Sequence, residues 1–115
     1  MNTSVAIVVI GRNEGERLVA CLDALSETDA QVIYVDSGST DASVKNAEAR
    51  GAHVVALDMS TPFTAARARN AGLECLSDQL EIQFVQFIDG DCMIDPSWID
   101  KAREFLQRNP DVAVV

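Results

Sequence analysis

The stretch FVQFIDGDCMIDPSW, residues 84–98, passes from an apolar run into acids within a few positions. Phe84-Val85-Gln86-Phe87-Ile88 has the length and the aromatic and β-branched content of a strand. Asp89-Gly90-Asp91 follows at once, two carboxylates one residue apart. In an ideal strand such neighbours point to opposite faces, whereas a turn through Gly90 lets both reach a common cation. A helix is expected next, with Asp95 as N-cap and Pro96 as its first residue. Trp98, Ile99, Ala102, Phe105 and Leu106 then fall on one face, and Asn109-Pro110 stops the helix.

The same strand-then-helix step recurs upstream. Val5-Ala6-Ile7-Val8-Val9-Ile10 is a continuous apolar run, the pattern of a strand buried on both faces of a parallel sheet. Leu18, Cys21, Leu22 and Leu25 recur at helical spacing, which predicts a helix over about residues 14–27. Residues 32–35 read as a second strand and 41–50 as a helix closed by Gly51 at C′. A third strand is expected over 53–57 and a third helix over 64–77. Val112-Ala113-Val114-Val115 reads as the start of a fifth strand. Repeated βα alternation predicts an open, mostly parallel α/β sheet. A strand still running at the last residue leads us to expect the first part of a longer protein.

Composition narrows the function. The formal charge of −9 comes without a basic cluster, which argues against nucleic acid as a partner. Cys21, Cys75 and Cys92 are odd in number and form no CxxC pair, so they read as thiols in a reducing compartment. His53 is the one histidine, which excludes multi-histidine metal sites; it reads as a strand-end residue. Met1 leads directly into a strand, with no signal-peptide pattern and no apolar run of bilayer length. A cytoplasmic location is expected, with membrane association of the parent protein left open.

Ligands of an open parallel sheet bind beyond the carboxyl ends of its strands. Gly11-Arg12-Asn13-Glu14 follows the first strand, Asp36-Ser37-Gly38-Ser39-Thr40-Asp41 the second, and Asp89-Gly90-Asp91 the fourth. Each alone is equally a turn or a cap; their convergence on one edge is the informative feature. Arg67 and Arg69 read on their own as solvated helix charges, and Cys92 as packing. Paired carboxylates with few basic neighbours suit a hard divalent ion, Mg²⁺ or Mn²⁺, carrying a diphosphate. Such an ion supplies the positive charge that an acidic domain lacks.

Four segments in series, VAIVVIGRNEGERL, VIYVDSGSTDAS, ARARNAGL and QFIDGDCMIDPSWI, give the chain a family likeness over essentially all of its length. It resembles the amino-terminal, nucleotide-sugar-binding part of the family 2 glycosyltransferases. The resemblance implies the GT-A fold, a Rossmann-like sheet with helices on both faces, here cut off after about the fifth strand. Residues 1–115 would form the donor-binding part, without the acceptor-binding part. The donor implied is a nucleotide-diphospho-sugar, commonly a UDP-sugar, bound through a divalent metal.

By the same resemblance, Arg12, Asn13 and Glu14 match the loop around the nucleoside, and Asp36 the acid that contacts base or ribose. Ser37 stands where a second aspartate is common. Arg69 and Asn70 match a helix beside the donor; Asp89 and Asp91 match the DxD that holds the metal on the diphosphate. Transfer to an acceptor hydroxyl would invert the sugar carbon, with a base supplied from beyond Val115. The acceptor, whether carbohydrate, lipid-linked or other, is not specified.

Other readings stay open at this point. A non-catalytic nucleotide- or metal-binding module fits the same polar edge. A nucleotidyltransferase fits it less well, because the loop after the first strand has a single glycine and an acid. The GxGxxG of a dinucleotide-binding oxidoreductase is absent there. A receiver-like domain wants an aspartate at the third strand, and Asp58-Met59 follows it here.

Overall fold

The computed structural model describes residues 4–115; Met1, on which the reading of the amino terminus rests, lies outside the described residues. In chain order the elements are β1 (Val5–Gly11), α1 (Glu16–Leu25), β2 (Gln31–Asp36), α2 (Ser43–Ala49), β3 (His53–Ala56), α3 (Ala65–Glu74), β4 (Phe84–Asp89) and α4 (Trp98–Arg108). The strands form one sheet in the order β3-β2-β1-β4, and every pairing is parallel. The strand order reverses at β1, which has β2 on one side and β4 on the other.

The apolar run of β1 is continuous because both of its faces are covered. Val5, Ile7 and Val9 pack with Leu18, Cys21, Leu22 and Leu25 of α1, Ala47 of α2 and Ile99 of α4. Ala6, Val8 and Ile10 pack on the opposite face with Ala68 of α3 and with Leu76. Helices thus cover both faces, as expected. Burial of a side chain such as Ile7, fully excluded from solvent, stabilises the fold by roughly 1.5–3 kcal/mol.

On the α3 face the fit is close. A Cβ placed on Gly72 would lie 2.5 Å from Val8 Cγ1 and 3.3 Å from Val35 Cγ2, so only glycine lets the helix approach the sheet here. Gly51 takes φ 81° and ends α2 as predicted. Its N–H donates to Glu48 O at 3.0 Å, and that of Ala52 donates to Ala47 O at 3.1 Å.

Two expectations need correction. The fifth strand is not formed: residues 112–115 have no ladder partner, and the sheet has four strands among the described residues. Apolar content favours burial, but a strand exists only where a neighbour's backbone groups pair with it. Ala113, Val114 and Val115 instead line a groove against β4 and α4.

The other correction is at α4, which starts at Trp98 and not at Pro96. Asp95 Oδ1 accepts from Ser97 N at 2.8 Å and Ser97 Oγ at 2.7 Å, closing a turn ahead of the helix. That turn holds the Asp95 carboxyl below its usual pKa. Of the expected apolar face only Ile99 is buried, while Trp98 and Phe105 are exposed.

Candidate functional site

The register brings the polar loops together. Gly11 stands opposite Asp36 across β1 and β2, and Ile10 stands opposite Asp89 across β1 and β4. All three strands therefore end at the same level, at the switch point where such sheets bind ligands. A cleft of about 320 Å³ opens there, walled by Arg12, Glu14, Phe63, Arg69, Asp89 and Asp91. A larger groove, about 480 Å³, lies between α1, α2 and the amino ends of β2 and β3. It holds none of the converging acids, so the carboxyl-edge cleft is the candidate.

Gly90 explains why the two acids are separated by glycine. Its N–H donates to Ile10 O at 2.8 Å, extending the ladder one step beyond Asp89. A Cβ there would sit 3.2 Å from Ile10 O, 3.4 Å from Leu18 Cδ1 and 3.6 Å from Glu14 Cγ. The residue is glycine for close approach. Asp89 and Asp91 then both line the cleft, and both are exposed.

Beneath the turn, the Cys21 S–H points to Asp89 O at 4.0 Å. Burial first, then the nearby Cys92 and Asp91, push that thiol up to about 11. Cys92, expected as packing, is exposed. Its S–H donates to Asp91 Oδ1 at 3.4 Å, the main reason its pKa is raised.

Asp36, Asn13 and Ser37 do not line the cleft; Asp36 and Asn13 fix the loops beside it. Asp36 is buried, and its Oδ1 accepts from Tyr34 Oη at 2.7 Å and Ser39 Oγ at 2.6 Å. Its Oδ2 accepts from Ser39 N at 2.9 Å. Burial, and then the hydrogen bond to Asp36, raise the pKa of Tyr34. Asn13 takes φ 50°, a left-handed conformation that Asn tolerates better than most residues. Its Oδ1 accepts from Thr40 N at 2.7 Å and Asp41 N at 3.3 Å, while its own N–H donates to Ser39 Oγ at 2.9 Å. The loops after β1 and β2 are thereby stitched into one unit.

The remaining predicted residues divide. Arg69 reaches the cleft from α3 and places Nη2 3.3 Å from Asp89 Oδ1. Asn70, its neighbour, is exposed and does not line the cleft. Glu14 does line it: Arg17 Nε lies 3.0 Å from Glu14 Oε2 as an ion pair, yet Oε2 has no donor in hydrogen-bond geometry. Ser37 is buried at the end of β2 with its Oγ unpartnered.

Arg67 is no mere solvated charge. It donates to the carbonyls of Asp58, Thr61 and Pro62 and ties down the loop before α3. That loop carries Phe63, a half-exposed cleft residue that the sequence reading missed. The available signal was topological, since the loop after a third parallel strand must emerge on the same edge.

The cleft's donor set fits a hard divalent cation. Asp89 and Asp91 both line the cleft, and Mg²⁺-type sites use one or two protein carboxylates with waters and phosphate oxygens. Among the described residues, no three His, Cys, Asp or Glu side chains converge to hold an ion. Such an ion would complete its shell with other oxygens, which suits delivery together with a diphosphate.

With this geometry in place, comparison with known proteins is informative. A family model described as Glycosyl transferase family 2 matches residues 6–115. No curated protein matches the chain. Among solved structures, Mycobacterium tuberculosis glucosyl-3-phosphoglycerate synthase in complex with phosphoglyceric acid is 25% identical with a TM-score of 0.75. The alignment covers 96% of this chain and 41% of the synthase. The synthase complex with Mn²⁺ and uridine-diphosphate-glucose gives 25% identity and a TM-score of 0.74, with coverage of 96% and 41%.

S. aureus TarS, 24% identical with a TM-score of 0.71 over 92% of this chain and 20% of its own, shares the fold. The chain thus spans 41% or less of the length of these proteins. A parallel sheet that gathers its acids at the switch point finds its place among glycosyltransferases, and the chain belongs to glycosyl transferase family 2.

Proposed function

We propose that residues 1–115 form the donor-binding part of an inverting glycosyltransferase that takes a nucleotide-diphospho-sugar, a UDP-sugar, with Mn²⁺ or Mg²⁺. One observation carries the reading. Asp89, Asp91, Arg69, Arg12 and Glu14 line a single cleft at the carboxyl edge of the sheet. The M. tuberculosis synthase, whose structures hold Mn²⁺ with UDP or UDP-glucose, supports the choice of donor and ion.

In this proposal Asp89 and Asp91 hold the cation on the diphosphate. When bound, the ion offsets the negative charge that develops on the departing nucleoside diphosphate. Arg12 and Arg69 provide donors for phosphate oxygens, and Glu14 Oε2 accepts from a donor hydroxyl. Asn13, Asp36 and Ser37 hold the loops beside the space for the base and ribose, while Asn70, which lies outside the cleft, is given no donor contact. Asp36 acts chiefly from below, because its carboxylate is buried among Tyr34 and Ser39.

The base that deprotonates the acceptor hydroxyl is placed beyond Val115. The 115-residue chain is accordingly expected to bind nucleotide without turning over. A cytoplasmic setting is proposed on the three free thiols. No helix among the described residues is long and apolar enough to cross a membrane. Calorimetric titration of UDP with and without Mn²⁺ tests the donor-site reading.

A further inference from the structure

The Arg69–Asp89 pair joins the two charges most needed by opposite parts of a metal–diphosphate ligand. Among the described residues, Arg69 is the one cation within ion-pair distance of Asp89 or Asp91. The contact is a single Nη2–Oδ1 approach of 3.3 Å with the side chains 39% and 55% exposed. It is longer than a strong charge-assisted bond and screened by solvent, so it exchanges easily. The backbone of α3 is nonetheless held: Ala68 is buried against the sheet, and Gly72 sits against Val8 and Val35. The Arg69 side chain is therefore carried by a fixed backbone. Arg67, two residues earlier, is instead tied to three carbonyls.

We propose that Arg69 is the counter-ion of Asp89 in the absence of ligand, holding that carboxylate until a divalent cation takes it and then turning to the diphosphate. The inference rests on the donor-site reading above and adds a competition to it. Arg69 opposes the cation when no nucleotide is present and assists the nucleotide once the cation is in place. Arg69 thus contributes to the linkage between cation and nucleotide, each raising the affinity for the other.

The test is titration of the 115-residue chain with Mn²⁺ alone, followed by electron paramagnetic resonance of free Mn²⁺. UDP is then titrated calorimetrically at saturating Mn²⁺. Wild type, Arg69→Met and Arg69→Lys are compared, with circular dichroism confirming that each is folded. Arg69→Met is expected to bind Mn²⁺ alone roughly two- to fivefold more tightly. It should bind UDP about tenfold more weakly in the presence of Mn²⁺, whereas Arg69→Lys keeps a cation and stays nearer wild type in both. The factor by which UDP improves Mn²⁺ binding should fall in Arg69→Met. Mn²⁺ affinity that is unchanged or weakened in Arg69→Met, with wild type binding Mn²⁺ and UDP normally, overturns the counter-ion role and leaves the donor site standing. Absence of Mn²⁺ binding without nucleotide, with Mn²⁺-dependent UDP binding retained, also overturns the counter-ion role and leaves the donor site standing; absence of both in all three chains overturns both.

Discussion

Gly72 of α3 lies so close to Val8 of β1 that a methyl group on it would stand 2.5 Å from Val8 Cγ1. This contact sets the height of α3 above the sheet. Arg69, one turn earlier on the same helix, depends on it to reach Asp89 at 3.3 Å. Packing in the core thus determines a distance in the cleft.

Substitution Gly72→Ala weighs two opposed effects. Alanine favours the helix by about 1 kcal/mol over glycine. Overpacking typically costs about 1–3 kcal/mol, and Val8 and Val35, whose methyl groups the new Cβ would meet, are fully buried. A net loss of up to about 2 kcal/mol is expected in urea unfolding. A gain of about 1 kcal/mol, the full helix propensity with no packing cost, would mean that α3 does not sit on Val8 as described.

Tyr34→Phe keeps the ring in the core and removes one donor to Asp36. Asp36 is 5% exposed and cannot recover that bond from bulk water without rearrangement. The expected loss is about 1–3 kcal/mol, again in urea unfolding. The loop holding Ser39 and Thr40 loosens with it, so amide exchange at Ser39 and Thr40 should speed up. A neutral Tyr34→Phe would contradict a structural role for the Tyr34–Asp36 bond.

Alkaline pH should destabilise the fold. The folded chain keeps the Cys21 thiol protonated up to about 11, against an ordinary value of 9.0. Tyr34 is shifted the same way by burial. Over that interval the unfolded chain releases protons that the folded chain retains, so the unfolded state binds fewer and stability falls as pH rises. The contribution of Cys21 is fully present below pH 9 and is lost as pH passes through about 11. Urea midpoints measured from pH 8 to 11 should decline, and Cys21→Ala should decline less steeply. Parallel slopes would assign the effect to other groups.

Much of this fold was legible because burial on two faces leaves a plain mark. The unbroken run Val5 to Ile10 can hardly be read as anything but a central parallel strand. The places of Asp89 and Asp91 at the cleft followed from the same logic. What failed depended on partners that sequence does not name. Residues 112–115 have strand-like composition but no ladder neighbour. Asp95 and Pro96 resemble a helix start, yet Asp95 spends its carboxylate on Ser97 in a preceding turn.

The loop after β2 was recognised as polar, but a pattern of Asp, Ser, Gly and Thr does not say which side chain turns inward. Burial of Asp36 beneath Ser39 is decided by Tyr34, two residues earlier and on the same face. Phe63 escaped notice because an aromatic before a helix has no distinguishing pattern of its own.

The central claim is that Asp89 and Asp91 couple a divalent cation to a nucleoside diphosphate in this cleft. Calorimetric titration of UDP into the wild-type chain and into an Asp89→Ala, Asp91→Ala double variant, each with and without Mn²⁺, addresses it most directly. Wild type should bind UDP about tenfold or more tightly with Mn²⁺, and the double variant should lose that gain while remaining folded. Metal-dependent UDP binding that survives unchanged in the double variant would contradict the account.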